Sequence, residues 1–208
     1  MNPTITHLLE TEARAVLEIP AENDYAAAAA LIRAQVAGAG GKVVASGIGK
    51  AGLVAGSLAS TFSSTGTQAV FLHPSEAQHG DLGLVHPHDV YLLISNSGKT
   101  RELLELAELS LRLHGPLPII VITSQPDSPL AQLATVTLLT GNPPEVCPLG
   151  LTPTTSITVM HVIGHILTVL LMQASGFDRE AFLRRHHGGY LGAKLRSAAR
   201  PDPSLPAE

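Results

Sequence analysis

Five short runs of strand character, separated by stretches with apolar residues at helical spacing, constrain this chain more than any other feature. Residues 42–46, 68–72, 89–95, 117–123 and 135–140 read as strands, and 52–63, 100–113 and 128–134 as the helices between them. Alternation of this kind brings successive strands in parallel with a helical crossover between each pair. The fold class it predicts is α/β, a doubly wound five-stranded parallel sheet flanked by helices. With 208 residues the chain is long enough for one such domain and too short for two. Residues 1–196 are therefore expected to form a single domain, with the Pro-rich 197–208 as a disordered tail.

Two helices precede this core and a long one follows it. Ile5, Leu8, Leu9, Val16 and Leu17 fall at helical spacing, and Pro20 closes that segment. Asn23 or Asp24 can cap a second helix, which Gly38, Gly40 and Gly41 end. Residues 154–174 are the most apolar stretch and almost long enough to span a bilayer, but two His, a Gly and several Thr and Ser interrupt them. The expectation is a buried helix, with a subunit interface as one place for it, and no membrane partner. Thirteen Lys and Arg against 17 Asp and Glu, a formal charge of −4, leave no basic field for nucleic acid. The N-terminus lacks the apolar core of a signal peptide, and the lone Cys147 excludes an internal disulfide. A cytoplasmic location is the expectation.

In doubly wound sheets, ligands sit outside the carboxyl ends of the strands, which is where the Gly- and Ser-rich segments of this chain fall. The first is SGIGK, with Ser46, Gly47, Gly49 and Lys50 at a strand-to-helix turn whose N–H groups and dipole suit an anion such as phosphate. It has neither the GxxxxGK[ST] spacing of a nucleotide loop nor a GxGxxG fingerprint, so an ordinary turn with a solvent-facing Lys50 is the alternative. The second is SNSGKTRE: Ser95, Ser97 and Thr100 offer hydroxyls, and Glu102 is either a reactive carboxylate or a complement to the helix dipole. The third holds Glu145 between Pro144 and Pro148, then Thr152, Thr154, Thr155 and Ser156 before the long helix. Thr154 or Thr155 as a plain N-cap is its structural reading. Histidines form the last group, with His79 in EAQHGDLG, His186 and His187 in RRHHGGYLG, and His161 and His165 four apart on one helix face. No Cys pair or HExxH pattern accompanies them, so no metal site is assigned.

Taken in order, SGIGK, HPSEAQHGDLG, SNSGKTREL, CPLGLTPTTS and RRHHGGYLGAKL resemble the sugar isomerase (SIS) family over residues 42–195, and more narrowly its arabinose-5-phosphate isomerases. The resemblance implies a five-stranded parallel sheet, a phosphate held by Ser46, Ser95, Ser97 and Thr100 with Thr154, Thr155 and Ser156 nearby, and catalytic residues at Lys50, Glu102, Glu145 and His186. Gly47, Gly49, His79 and His187 complete the expected binding set. It also implies dimers or tetramers in which the C-terminal histidine serves a neighbour's site.

Aldose–ketose interconversion needs a proton moved between adjacent carbons through a cis-enediol, which a carboxylate can do while a cation or histidine stabilises the oxyanion. That chemistry requires no redox cofactor or obligatory metal, and none is expected. Glu145 is the expected C1/C2 proton shuttle, with Glu102 moving hydroxyl protons, Lys50 stabilising the oxyanion and His186 opening the ring. Two departures stand out: His187 follows His186 where family members usually have Pro, so either histidine can occupy the site, and Ala51 replaces the common Ser. Many relatives continue into paired CBS domains, so the chain looks like the catalytic module alone. Another SIS isomerase acting on a hexulose or heptulose phosphate, and a non-catalytic sugar-phosphate sensor, are the competing readings.

Overall fold

Where strands must be buried on both faces their sequence becomes an unbroken apolar run, and the two most continuous runs occupy the centre of the sheet. The computed structural model describes residues 3–187. Its strands are β1 (Val43–Gly47), β2 (Ala69–Phe71), β3 (Val90–Ile94), β4 (Ile119–Thr123) and β5 (Val136–Leu139), all parallel, in the order β2-β1-β3-β4-β5. Every residue of β1 and of β3 is buried. The expected sheet is present, and its order places the switch in winding direction between β1 and β3, where a ligand crevice opens at the carboxyl ends.

Helices α1 (Pro3–Leu17), α2 (Tyr25–Arg33), α3 (Gly49–Ser64) and α7 (Thr155–Ser175) cover one face of the sheet. The other face carries α4 (Pro74–Ala77), α5 (Arg101–His114) and α6 (Pro129–Leu133), whose Leu103, Leu106 and Leu130 pack on Tyr91, Leu93 and Val121. A final short helix, α8 (Arg179–Arg185), ends the described chain; α4 and α8 had no counterpart in the sequence reading. Sequence also left open which residue caps α2. The Asp24 carboxylate accepts the Ala27 N–H at 2.8 Å and is the cap. Asn23 instead bonds to edge strand β5, its amide donating to the Leu139 carbonyl at 2.8 Å and accepting the Leu139 N–H at 2.6 Å.

Helix α7 is long and apolar enough to cross a membrane by length and composition. It packs instead against α1, α2 and α3, burying Val159, Met160, Ile163, Leu167 and Leu171, while Val169 on its outer side stays half exposed. The α3 crossing is close because Gly164 has no side chain: a Cβ there would stand 2.3 Å from both methyl carbons of the fully buried Leu58. At the amino ends of the strands, buried Asp89 accepts the Lys42 N–H at 2.9 Å, the Lys42 ammonium at 2.7 Å and the His86 N–H at 2.8 Å, binding the loop before β3 to the start of β1. The expected tail, 197–208, lies outside the described residues.

Overpacking a filled crossing costs about 1–3 kcal/mol, and the better helix propensity of Ala returns at most about 1 kcal/mol. Gly164→Ala is therefore expected to lower Tm, and a thermal melt against wild type measures it.

Candidate functional site

A cleft of ≈ 570 Å³ opens at the carboxyl ends of the sheet, within the size range of small-molecule sites. The turn after β1 contributes Ile48, Lys50 and Ala51, and the loop after β3 contributes Ser95 to Ser97, Lys99 and Thr100. Ser124 and Gln125 follow β4, while Asn142, Glu145 and the residues leading into α7 close the far wall. Six expected site residues thus meet on one cleft: Lys50, Ser95, Ser97, Thr100, Glu145 and Ser156. Among the described residues no three His, Cys, Asp or Glu are grouped so as to hold a metal ion.

Three helices present their N-termini near this cleft, and they differ in what they have to offer. At α7 the end is already filled by the chain's own carboxylate. Glu145 Oε2 accepts the Thr154 N–H at 2.7 Å, the Thr154 hydroxyl at 3.0 Å and the Ser156 N–H at 3.3 Å. Neither Thr154 nor Thr155 acts as the plain cap, since Thr154 makes no side-chain cap bond and the Thr155 hydroxyl donates to Glu12 on α1 at 3.0 Å. At α5 the N-cap Thr100 makes no cap bond either, because its hydroxyl is engaged with Ser95 Oγ at 2.7 Å. Ile48 at the N-cap of α3 has no side chain that could cap. The α3 and α5 ends are therefore open to an anion, and α7 is closed to one.

The SNSGKT loop is held from below. Gly98 sits at φ +60°, its N–H donates to Ser95 Oγ at 3.1 Å, and a Cβ at Gly98 would lie 2.0 Å from Ser128 Oγ. Only glycine satisfies both conditions there. Lys50 and Lys99 are both exposed, and neither has an ion-pair partner among the described residues. Sequence reasoning missed Lys99 as well as Asn142, Ser124 and Gln125. The two positive charges within one Gly-rich strand-end pattern were the available signal for Lys99.

Other expected residues stand elsewhere. Ser46 is fully buried and donates to the Leu72 carbonyl at 2.6 Å, joining the ends of β1 and β2. Gly47 and Gly49 line a neighbouring hollow with Leu53, Phe71 and His73. Glu102 lies in the first turn of α5, outside the cleft lining. His79 is exposed after α4, with its backbone N–H on the Glu76 carbonyl. The His186 ring stacks on Phe182 at 3.6 Å and shares a hydrogen bond with the Phe182 carbonyl at 2.9 Å; His187 is exposed. Adjacent Arg185 lies beside Lys42, Gly66 and Gln68, residues that precede β1 and β2. That is the amino end of the sheet, opposite the cleft.

Burial works to raise the Glu145 carboxyl, but the Ser156 and Thr154 donors outweigh it and hold the group below the usual carboxylate range. Cys147, two residues on, accepts the N–H groups of Leu151 at 3.2 Å and Thr152 at 3.1 Å, and these bonds, chiefly that from Thr152, bring its thiol down to about 7. The same bonds fold back the segment that lends Gly150 and Leu151 to the cleft. Because folding lowers the Glu145 pKa, its stabilising contribution is complete above the ordinary carboxylate value of about 4.3 and is lost as pH falls through the lowered one. The Tm difference between wild type and Glu145→Gln should thus be largest near neutrality and shrink in acid, as melts across pH 2–7 would record.

A family model for the SIS domain matches residues 35–170. The chain is 50% identical over 155 residues to the arabinose 5-phosphate isomerase KdsD of Salmonella typhi and 49% identical over 155 residues to that of Escherichia coli K12, in each case across 74% of this chain and 47% of the relative. It thus spans about half the length of the curated relatives it matches. A crystal structure from Bacteroides fragilis NCTC 9343, named for a phosphosugar isomerase involved in capsule formation, superposes with a TM-score of 0.87 at 56% identity, over 89% of this chain and 97% of that one. The c3406 protein of E. coli CFT073, solved in complex with arabinose 5-phosphate, gives a TM-score of 0.76 at 38% identity, over 88% and 97% of the two chains. The layered sheet, the Gly- and Ser-rich turns at its carboxyl edge and the match over most of the chain agree: this protein belongs to the SIS domain family.

Proposed function

We propose that the protein is an aldose–ketose isomerase that interconverts arabinose 5-phosphate and ribulose 5-phosphate, supplying 3-deoxy-manno-octulosonate synthesis and hence lipopolysaccharide. One observation carries the reading: Glu145 and Lys50 line the same cleft as the Ser95, Ser97 and Thr100 hydroxyls. The phosphate takes the open N-terminus of α5 with Ser97, Thr100 and Lys99, and the sugar carbons reach toward α7. The Thr154 N–H and hydroxyl and the Ser156 N–H all donate to Glu145 Oε2, which holds the carboxylate in place to move the proton between C1 and C2. Its lowered pKa keeps it ionised at neutral pH. Lys50, at the open start of α3, stabilises the enediolate oxygen. Glu102 keeps its role in hydroxyl proton transfer only where the sugar extends past the first turn of α5.

His186 belongs to this scheme through a second copy. Its neighbour Arg185 lies at the amino end of the sheet, so ring opening by His186 needs a homodimer or homotetramer in which one subunit's α8 faces another's cleft. His187 is the alternative group at the same tip. A cytoplasmic location accords with a small phosphorylated substrate.

Purified protein with arabinose 5-phosphate should produce ketose in a colorimetric assay, and Glu145→Gln should lower kcat by about 10²–10⁴-fold, the usual worth of a positioned acid–base group. Absence of turnover on pentose, hexose and heptose phosphates alike would leave a sugar-phosphate sensor as the better reading. Separately, Lys50→Ala and His186→Ala chains, each inactive alone, should regain part of the activity after subunit exchange. Failure in mixtures shown by mass to contain hybrid oligomers would count against His186 serving a neighbour's cleft.

A further inference from the structure

Asn142 is the only non-glycine residue at positive φ among the described residues, at φ +54°, and it lines the cleft. Its conformation is unfavourable on two counts. L-residues reach the left-handed region at a cost, with Asn among the more tolerant, and a residue before proline is driven toward extended backbone, yet Asn142 precedes Pro143. Gly141 before it is also left-handed at φ +77°, so the chain leaves β5 through two successive left-handed residues and then two prolines to reach Glu145.

The turn alone does not call for asparagine. Glycine at 142 would take the same φ without strain, as Gly141 does. The Asn142 backbone N–H donates to Thr140 Oγ1 at 3.4 Å, a bond any residue but proline supplies. Its side-chain amide makes no hydrogen bond within the described chain, and the residue is exposed on the cleft. What asparagine adds over glycine is therefore a donor and an acceptor directed by a rigid turn three residues from Glu145.

We infer that Asn142 binds sugar hydroxyls in the cleft and orients the carbon chain against Glu145, the phosphate being held separately at the α5 end. The inference rests on the sugar-phosphate reading of the cleft. A neutral amide suits this position because a sugar hydroxyl both donates and accepts, and the amide can match either need. Discrimination between a sugar phosphate and phosphate alone then resides at this turn, and the binding of phosphate alone does not.

The test uses the whole chain and two variants, Asn142→Gly, which keeps the backbone conformation and deletes the amide, and Asn142→Asp, which keeps the shape but loses the donor. Calorimetry gives Kd for arabinose 5-phosphate and for inorganic phosphate. One or two neutral hydrogen bonds correspond to about a threefold to hundredfold change. Asn142→Gly should weaken arabinose 5-phosphate by that factor, leave the Kd of inorganic phosphate within about twofold, and leave Tm unchanged or slightly raised. Asn142→Asp should weaken the sugar phosphate as well, again without restoring wild-type binding. Equal affinity of wild type and Asn142→Gly for the sugar phosphate overturns the inference, as does a parallel loss of inorganic phosphate. Wild-type protein that binds inorganic phosphate no less tightly than arabinose 5-phosphate would instead sink the sugar-phosphate reading on which the inference stands.

Discussion

The carboxylate of Glu145 on the N-terminus of α7 joins the architecture to the chemistry. Helix α7 is the element around which α1, α2 and α3 pack, and its first turn would leave N–H groups without partners if Glu145 were turned away. The bonds from Thr154 and Ser156 meet that requirement and hold the Glu145 pKa below the usual carboxylate range, leaving an ionised group on the wall of the cleft. On the proposed reading stability and reactivity draw on the same side chain, since Glu145 cannot relax into a more solvated position without uncapping the helix. A proton shuttle benefits from such restraint, because its value depends on distance to carbon more than on intrinsic strength.

Filling the α7 terminus also decides where an anion can go. A dianionic phosphate beside the Glu145 carboxylate would meet like charge, whereas α5 offers a helix end without a cap and Lys99 beside it. On the proposed reading, the two ends of a phosphorylated sugar would thereby be sorted by the chain's own electrostatics: phosphate toward the cationic, uncapped side and carbonyl toward the carboxylate.

Much of the fold was legible because buried parallel strands leave continuous apolar runs and their carboxyl-end loops concentrate Gly and Ser. Lys50, Ser95, Ser97, Thr100, Glu145 and Ser156 were found that way, and the structure brings them to one cleft. What sequence could not show depended on orientation. A serine at a strand end reads identically whether its hydroxyl faces a ligand or, as for Ser46, a neighbouring strand's carbonyl. A hydroxyl-rich helix start reads as an anion site, and nothing local reveals that Glu145, nine residues before Thr154, already occupies it. His186 is close to the other motifs in pattern and far from them in space, because strand order and the path of α8 are long-range properties. Asn142 carries no motif, since a left-handed backbone becomes visible only as a dihedral angle.

The pairing of Asn23 with Leu139 has a consequence for how molecules of this protein meet one another. By answering both backbone groups of an edge-strand residue with a side-chain amide, Asn23 acts as a counterfeit sixth strand one residue long. A neighbour seeking to extend the sheet would find those bonds already taken at that point of the β5 edge. Growth by strand addition, the route to fibrils and disordered aggregates, is obstructed there by a single primary amide, and its conversion to a carboxylate would set like charges against the Leu139 carbonyl and unlatch that margin of the fold.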